Sequence, residues 1–253
     1  MVTPTYIGVL VLVRWTASIY CLFPAIWDNA RVMDIQWHGL SCVSLKGKNA
    51  TLVTDPYDAK IAGIKLPKLV ADVCVANADF PLHHAVEQLG KDVKVFDWPG
   101  EYESKGIIVQ GIAAYDRPME KEGERNKEAQ RVIIYSIKID GFSVCHLSNI
   151  GHRLTPEMLE VIGNVDILLI PIGGADCLDA KKAHEVVEQI DPRVVIPMYY
   201  KIPGVKLPLA ELAPFLKEIG MTASAAEKTL KFQTPSGLPQ ENTEFKVLEP
   251  VLG

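Results

Sequence analysis

From residue 33 onward, apolar and polar positions change over in short runs before settling into longer blocks. Asp34–Trp37, Val43–Lys46 and Thr51–Thr54 are short runs with β-branched residues. Gly39 and the Lys46-Gly47-Lys48-Asn49 turn separate them, which predicts three strands. Val73–Ala76, Val93–Phe96 and Gly106–Gly111 continue the series, and Arg131–Ile139 and Phe142–Leu147 flank Asp140-Gly141, a dipeptide that favours a tight hairpin. Further along, Val165–Pro171 and Val194–Pro197 are nearly continuous apolar runs, as strands buried on both faces require. Between them Asp179 is placed to cap a helix whose Ala183, Val186, Val187 and Ile190 recur at helical spacing, with Asp191-Pro192 ending it. Leu209, Leu212, Leu216 and Ile219 form a second such face, closed by Gly220, and both faces read as core packing. His84–Leu89 reads as a short helical stretch, and Lys228–Phe232 and Glu244–Leu248 as closing strands. Strands first, then strands mixed with helices, predict an α/β (α+β) fold of two sheets packed face to face with helices outside.

The stretch before residue 33 has a different character. Tyr6 to Trp27 is apolar apart from Arg14 and a few hydroxyl residues, and Pro24 breaks its late part. A central arginine costs about 2.5–3.5 kcal/mol on membrane-insertion scales. No Lys or Arg precedes the run, so it lacks the basic flank of a secretory signal. Three readings stay open: a weak membrane anchor through residues 6–27, an extra packed element, or upstream sequence read from an early start codon. The last is preferred, because Met33 opens what looks like a natural domain start. The expected organisation is an apolar extension over residues 1–32 and one domain over residues 33–253.

Composition adds limits rather than chemistry. At 48% hydrophobic and 23% charged, with a net charge of −5, the chain has an ordinary globular balance and no basic footprint for nucleic acid. The five cysteines are scattered and never spaced as CxxC, which disfavours zinc ribbons and disulfide frameworks. Cys74 and Cys145 lie in strand-like runs and read as buried thiols, so a reducing, cytoplasmic setting is expected. Arg117–Arg131 is dense in charge without apolar periodicity and reads as a solvated loop.

Six segments then carry a resemblance. They are Trp37-His38-Gly39-Leu40-Ser41, Thr54-Asp55-Pro56-Tyr57, Pro99-Gly100-Glu101-Tyr102-Glu103, Cys145-His146-Leu147-Ser148-Asn149-Ile150-Gly151-His152, Ile170-Pro171-Ile172-Gly173-Gly174 and Ile196-Pro197-Met198-Tyr199-Tyr200. In this order they resemble the metallo-β-lactamase superfamily, in the branch of the ascorbate-6-phosphate lactonase-like hydrolases, over essentially all of Met33 to Pro250. The resemblance implies a four-layer αββα sandwich with a dinuclear metal site at one edge. Such a site needs neutral imidazoles and a bridging carboxylate around a shared hydroxide.

This sequence departs from that ligand set at each matching place. The four positions of the family's first metal loop hold Asn77, Asp79, Pro81 and Leu82. A later histidine aligns with Asp116, the bridging aspartate with Asn149 and the final histidine with Tyr199. Proline and leucine offer no donor atom, carboxamides bind zinc poorly, and a phenol with an ordinary pKa near 10 is a weak ligand at neutral pH. No metal is therefore expected. The function implied is that of a zinc-free, non-catalytic relative that binds or scaffolds an unidentified ligand or protein, with a partly filled pocket around Tyr199 and Leu82. The competing reading is a metal-dependent hydrolase of lactones or phosphoesters, holding Mg or Mn on an oxygen-rich cluster that includes Asp79 and Asp116.

The remaining candidates are read conservatively. His83 and His84 follow the altered loop one and two positions late, and an exposed or capping role is preferred over a shifted ligand. Asp55 is expected to brace the loop backbone, and His146 and His152 to make hydrogen bonds in the neighbouring turn. His38 reads similarly, and His184 as a surface residue. Glu101 and Glu103 could suggest paired carboxylates for acid–base work, but the family match places them beside a turn of the scaffold, and a structural or rim role is preferred. Ser148, His146 and Asp55 could be written as a catalytic triad, but nothing in the sequence shows that they converge. Gly173-Gly174 reads as a tight turn.

Overall fold

The computed structural model describes residues 33–117, 126–222 and 225–253. The extension before Met33 and the centre of the charged Arg117–Arg131 segment lie outside them. Among the described residues two sheets form. The first contains β1 (Met33–Trp37), β2 (Val43–Lys46), β3 (Thr51–Thr54), β4 (Val73–Val75), β5 (Lys94–Phe96) and β12 (Leu230–Phe232), in the order β12-β1-β2-β3-β4-β5. The second contains β6 (Gly100–Ser104), β7 (Ile107–Tyr115), β8 (Arg131–Ile139), β9 (Phe142–His146), β10 (Ile167–Pro171), β11 (Val194–Met198) and β13 (Glu244–Phe245), in the order β13-β11-β10-β9-β8-β7-β6.

Pairing follows the connections. The hairpin at Asp140-Gly141 pairs β8 and β9 antiparallel, with Asp140 and Gly141 both at positive φ as such turns demand. The β9–β10–β11 run is parallel, and helices make its crossovers: α2 (Pro156–Ile162) and α3 (Ala180–Ile190). Every residue of β10 and β11 is buried, which is why their sequences are continuous apolar runs. Helix α3 begins where Asp179 accepts a hydrogen bond from Lys182 N at 2.9 Å and turns Ala183, Val186 and Val187 into the core. Helices α1 (Ala59–Ala62) and α4 (Ala213–Glu218) complete the described set of α-helices. One core of buried residues joins both sheets. The arrangement is an α/β sandwich of two mixed sheets with flanking helices.

Three local expectations are corrected. His84–Leu89 forms no α-helix: Pro81–His83 and Val86–Leu89 are single 3-10 turns, too short for helical periodicity to have meaning. The second helical face shortens to Ala213–Glu218. Strand β6 forms where no strand was expected; Glu101 and Glu103 lie on it, beside its turn into β7, and point to solvent while Tyr102 stacks on Phe96 with ring centroids 4.5 Å apart. No helix among the described residues is long and apolar enough to cross a membrane.

Candidate functional site

The site begins where three strands end. Asp55 follows β3, Ser148 lies two residues past β9 and Tyr199 follows β11. All three have left-handed backbone, with φ of 37°, 50° and 54°. That conformation is uncommon for residues other than glycine. Here it turns each chain sharply at the strand end and brings the three side chains into one region between the sheets.

Asp55 is the centre, with no exposed surface. Its Oδ2 accepts from Ser148 Oγ at 2.6 Å and lies 2.9 Å from His146 Nε2. Its Oδ1 accepts from Asn77 Nδ2 at 2.9 Å. Asn77 also donates to Ser148 Oγ at 2.8 Å and accepts from the Ile133 backbone N–H of β8, which ties the first sheet to the second. Burial alone would raise the Asp55 carboxyl, but the hydrogen bond and charge of His146, with the contributions of His83 and Ser148, hold it below the usual carboxylate range. It is an anion kept in place by donors.

Ser148, His146 and Asp55 therefore do converge, which the sequence did not show. They are not ordered for nucleophilic catalysis. A triad needs the imidazole between hydroxyl and carboxylate. Here the carboxylate is the hub, the serine proton is directed at it, and all three residues are buried. His146 Nδ1 has no hydrogen-bond partner.

His83 corrects the preferred surface reading. It is fully buried, 3.4 Å from Ser41 Oγ by its Nε2 and 4.0 Å from Asp55 Oδ2 by its Nδ1. The Tyr199 ring stands edge-on to it at a centroid distance of 5.3 Å. Burial holds the His83 imidazole below the usual histidine range, against the pull of Asp55 and Asp176. His84, by contrast, turns outward to Asp97 at 2.9 Å and takes no part in the cluster.

The other positions divide. Tyr199 is buried and donates to Asp176 Oδ2 at 3.3 Å; burial first, then the Asp176 charge, push its phenol well above the ordinary value, so the hydroxyl keeps its proton. Leu82 is buried in the core, and Pro81 is exposed at the start of its 3-10 turn. Asn149 is buried with its Nδ2 unpartnered. Asp116 is also buried, its Oδ1 accepting from Gln130 N at 2.8 Å, and burial raises its carboxyl. Asp79 is half exposed and pairs with Arg131, which itself lies 3.9 Å over the Trp98 ring. Among the described residues, no three His, Cys, Asp or Glu side chains converge so as to hold a metal ion.

Sequence reasoning missed Asp176. It follows Gly173-Gly174 beyond the carboxyl end of parallel strand β10, the edge where open α/β sheets place ligand-binding groups. That placement was the available signal. His38 is buried, its Nδ1 3.1 Å from Val251 O and its Nε2 2.9 Å from Ser44 Oγ. His152 accepts from Tyr115 N at 3.1 Å and donates to Arg153 O at 2.7 Å, and half-exposed His184 lies near Glu188.

Known proteins match this architecture. Residues 34–199 match the family described as the beta-lactamase superfamily domain. A Thermotoga maritima member of the metallo-beta-lactamase superfamily, proposed to be a Zn-dependent hydrolase, is 30% identical, with a TM-score of 0.67 over 87% of this chain and 100% of that one. A UPF0173 metal-dependent hydrolase from Thermoplasma acidophilum is 27% identical over 192 residues, 66% of this chain and 83% of its own length. A metallo hydrolase from Ignicoccus hospitalis shares the fold, with a TM-score of 0.58 at 15% identity over 79% of this chain and 98% of that one. The chain belongs to the beta-lactamase superfamily and has the metallo-β-lactamase fold.

Proposed function

We propose that this protein is a non-catalytic member of its superfamily, in which a closed hydrogen-bonded core stands where a dinuclear centre would sit, and that it acts by binding. The observation that carries the reading is how the side chains at the ligand positions are spent. Asn77 uses its amide nitrogen on Asp55 and Ser148 and its oxygen on Ile133 N–H. Tyr199 keeps its proton and occupies the space beside His83, and Pro81 and Leu82 have no donor atom. Asn149 directs an amide, not a carboxylate, into the cluster. A zinc pair needs several unprotonated nitrogen donors and an anionic bridge, and this donor set does not fit one.

The relatives' names favour a second reading, metal-dependent hydrolysis. It would rely on Asp79 and Asp116, with Asp176 and His83 as further donors, and it predicts a hard ion such as Mg or Mn, not zinc.

Elemental analysis of protein purified without chelator, with melts in EDTA, Zn, Mn and Mg, tests both. The first reading expects substoichiometric metal and no shift of the melting temperature with any additive. An ion at 100 times its dissociation constant would add about 2.7 kcal/mol. A stoichiometric ion whose stabilisation disappears on His83→Ala or Asp116→Asn, with hydrolysis of a lactone or phosphoester, would overturn it. The chemical class of any hydrolysed ester would then be the next question.

A further inference from the structure

The outer face of the first sheet carries a groove of about 470 Å³ whose lining, with Asp34, Gln36, Lys46, Thr51, Lys68 and Lys231, includes no residue of the Asp55 cluster. Strand register builds its floor. Lys231 pairs across β12 to Asp34, Asp34 across β1 to Lys46, and Lys46 across β2 to Thr51, so these four side chains form a row on one face. Gln36 and Ser44 make the next row, with Gln36 Nε2 donating to Thr229 Oγ1 at 2.9 Å. The Lys68–Val70 segment forms a wall, and Val70 is 80% exposed.

The charges in this groove are unbalanced. Three lysines face one carboxylate, in a chain whose net charge is −5. Lys231 Nζ lies 3.6 Å from Asp34 Oδ2. No carboxylate among the described residues lies within ion-pair distance of Lys46 or Lys68, while Asp34 Oδ1 is buried and lacks a hydrogen-bond donor. Unpaired ammonium groups in a concave site attract anions, and the part-exposed Asp34 carboxylate beside them is an acceptor for a hydroxyl group. The size falls in the range of small-molecule sites, about 300–1,000 Å³. The comparable cleft at Asp166, Asp191 and Glu241 has the opposite imbalance, three carboxylates to one cation, and its Arg193 is already engaged by Asp166 at 3.4 Å and Pro235 O at 3.0 Å, so it does not attract anions.

We infer that this groove binds a small polyanion that also carries a hydroxyl group, its anionic groups on Lys46 and Lys68 and its hydroxyl donating to the part-exposed carboxylate of Asp34. Phosphate and carboxylate anions share this chemistry, so the test separates them. The full chain is titrated by calorimetry at pH 8 with fructose 1,6-bisphosphate, citrate and inorganic pyrophosphate. The inference expects one of the two hydroxyl-bearing anions to bind tighter than about 1 mM and to weaken with salt. Preference for the bisphosphate assigns phosphate, and preference for citrate assigns carboxylate. Lys46→Gln and Lys68→Gln should each weaken that binding about tenfold, a loss of about 1.4 kcal/mol, while Lys217→Gln on α4 leaves it unchanged. Asp34→Asn should lower affinity for the hydroxyl-bearing anion relative to pyrophosphate about tenfold, a ratio that mere charge removal leaves constant. Absence of binding, equal loss in the Lys217 control, or an unchanged ratio in Asp34→Asn overturns the inference. Metal analysis of the Asp55 region is unaffected by any of these outcomes.

Discussion

Replacing Asp55 by asparagine keeps the shape of the buried hub and removes its charge. The new amide nitrogen must take one of two places. At the Oδ2 position it would face Ser148 Oγ and His146 Nε2, at 2.6 and 2.9 Å, and Ser148 already accepts from Asn77. At the Oδ1 position it faces only Asn77 Nδ2, a donor at 2.9 Å, so this orientation is the cheaper one. It still loses one hydrogen bond and leaves two facing buried donors unpaired, the new amide and that of Asn77, which costs at least about 1–3 kcal/mol. The two surviving bonds change from charged to neutral acceptors and weaken by about 1 kcal/mol each. The lower desolvation cost of a neutral amide offsets part of this, so the expected net loss is about 3 kcal/mol. For a domain of this size that lowers the melting temperature by about 6–12 °C. Thermal melts followed by circular dichroism at pH 7.5, with urea unfolding as a second measure, would read it. Asp79→Asn is the comparison: its ion pair with Arg131 is half exposed and should be worth less than about 1 kcal/mol. A melt for Asp55→Asn within about 2 °C of the parent, or no lower than that of Asp79→Asn, would refute a charged hub.

Three further outcomes follow from the same geometry. Burial lowers the folded-state pKa of His38, His83 and His152, so the unfolded chain takes up protons first as pH falls below about 6.5. Stability should then decline by up to about 1.4 kcal/mol per pH unit for each histidine, read as the urea midpoint between pH 7.5 and 5.5. Asp55 adds the usual carboxylate behaviour: its folded pKa is depressed, so its contribution is present above about pH 4 and lost as pH falls through the folded value. A flat profile from pH 7.5 to 5.5 would contradict the burial of these rings. Gly151→Ala would place a Cβ 2.0 Å from the Asp116 backbone oxygen, so it should destabilise by more than about 3 kcal/mol or displace Asp116, visible in the melt and in amide exchange near Gln130. Leu82→Ala removes a core side chain and should cost about 2–5 kcal/mol, whereas Pro81→Ala, at an exposed position, should change the melt little.

What the sequence made legible is what depends on local spacing. Strands β1 to β3, the β8–β9 hairpin and helix α3 could be read because alternation, an Asp-Gly turn and an Asp cap act within a few residues. Strand β6 was missed because Gly100, Glu101 and Glu103 are poor strand formers; it forms at an edge, where outward glutamates stay in water and pairing with β7 supplies the hydrogen bonds. His83 was misread for a different reason. Its local context, between Phe80-Pro81 and His84, indicates a surface turn. Its burial comes from Ser41, Asp55 and Tyr199, contacts that no periodicity encodes. The same holds for Asp79, whose outward direction is set by Arg131, 52 positions further along a different strand.

The ends of β3, β9 and β11 share one backbone feature that shapes the site. Left-handed backbone costs an ordinary residue about 1–2 kcal/mol, and here it occurs at Asp55, Ser148 and Tyr199 together. That strain is fixed by main-chain geometry: Asp55 N bonds to Val75 O at 2.8 Å, and Tyr199 N to Leu40 O at 3.0 Å. At these three strand ends the side chains are buried, so they must be satisfied inside the protein. At Asp55 the anion is satisfied by three donors; at Tyr199 a large ring fills the volume and its hydroxyl reaches Asp176. The shape of this region is thus set by the backbone at the three strand ends, while the polar atoms placed there decide what the region can bind.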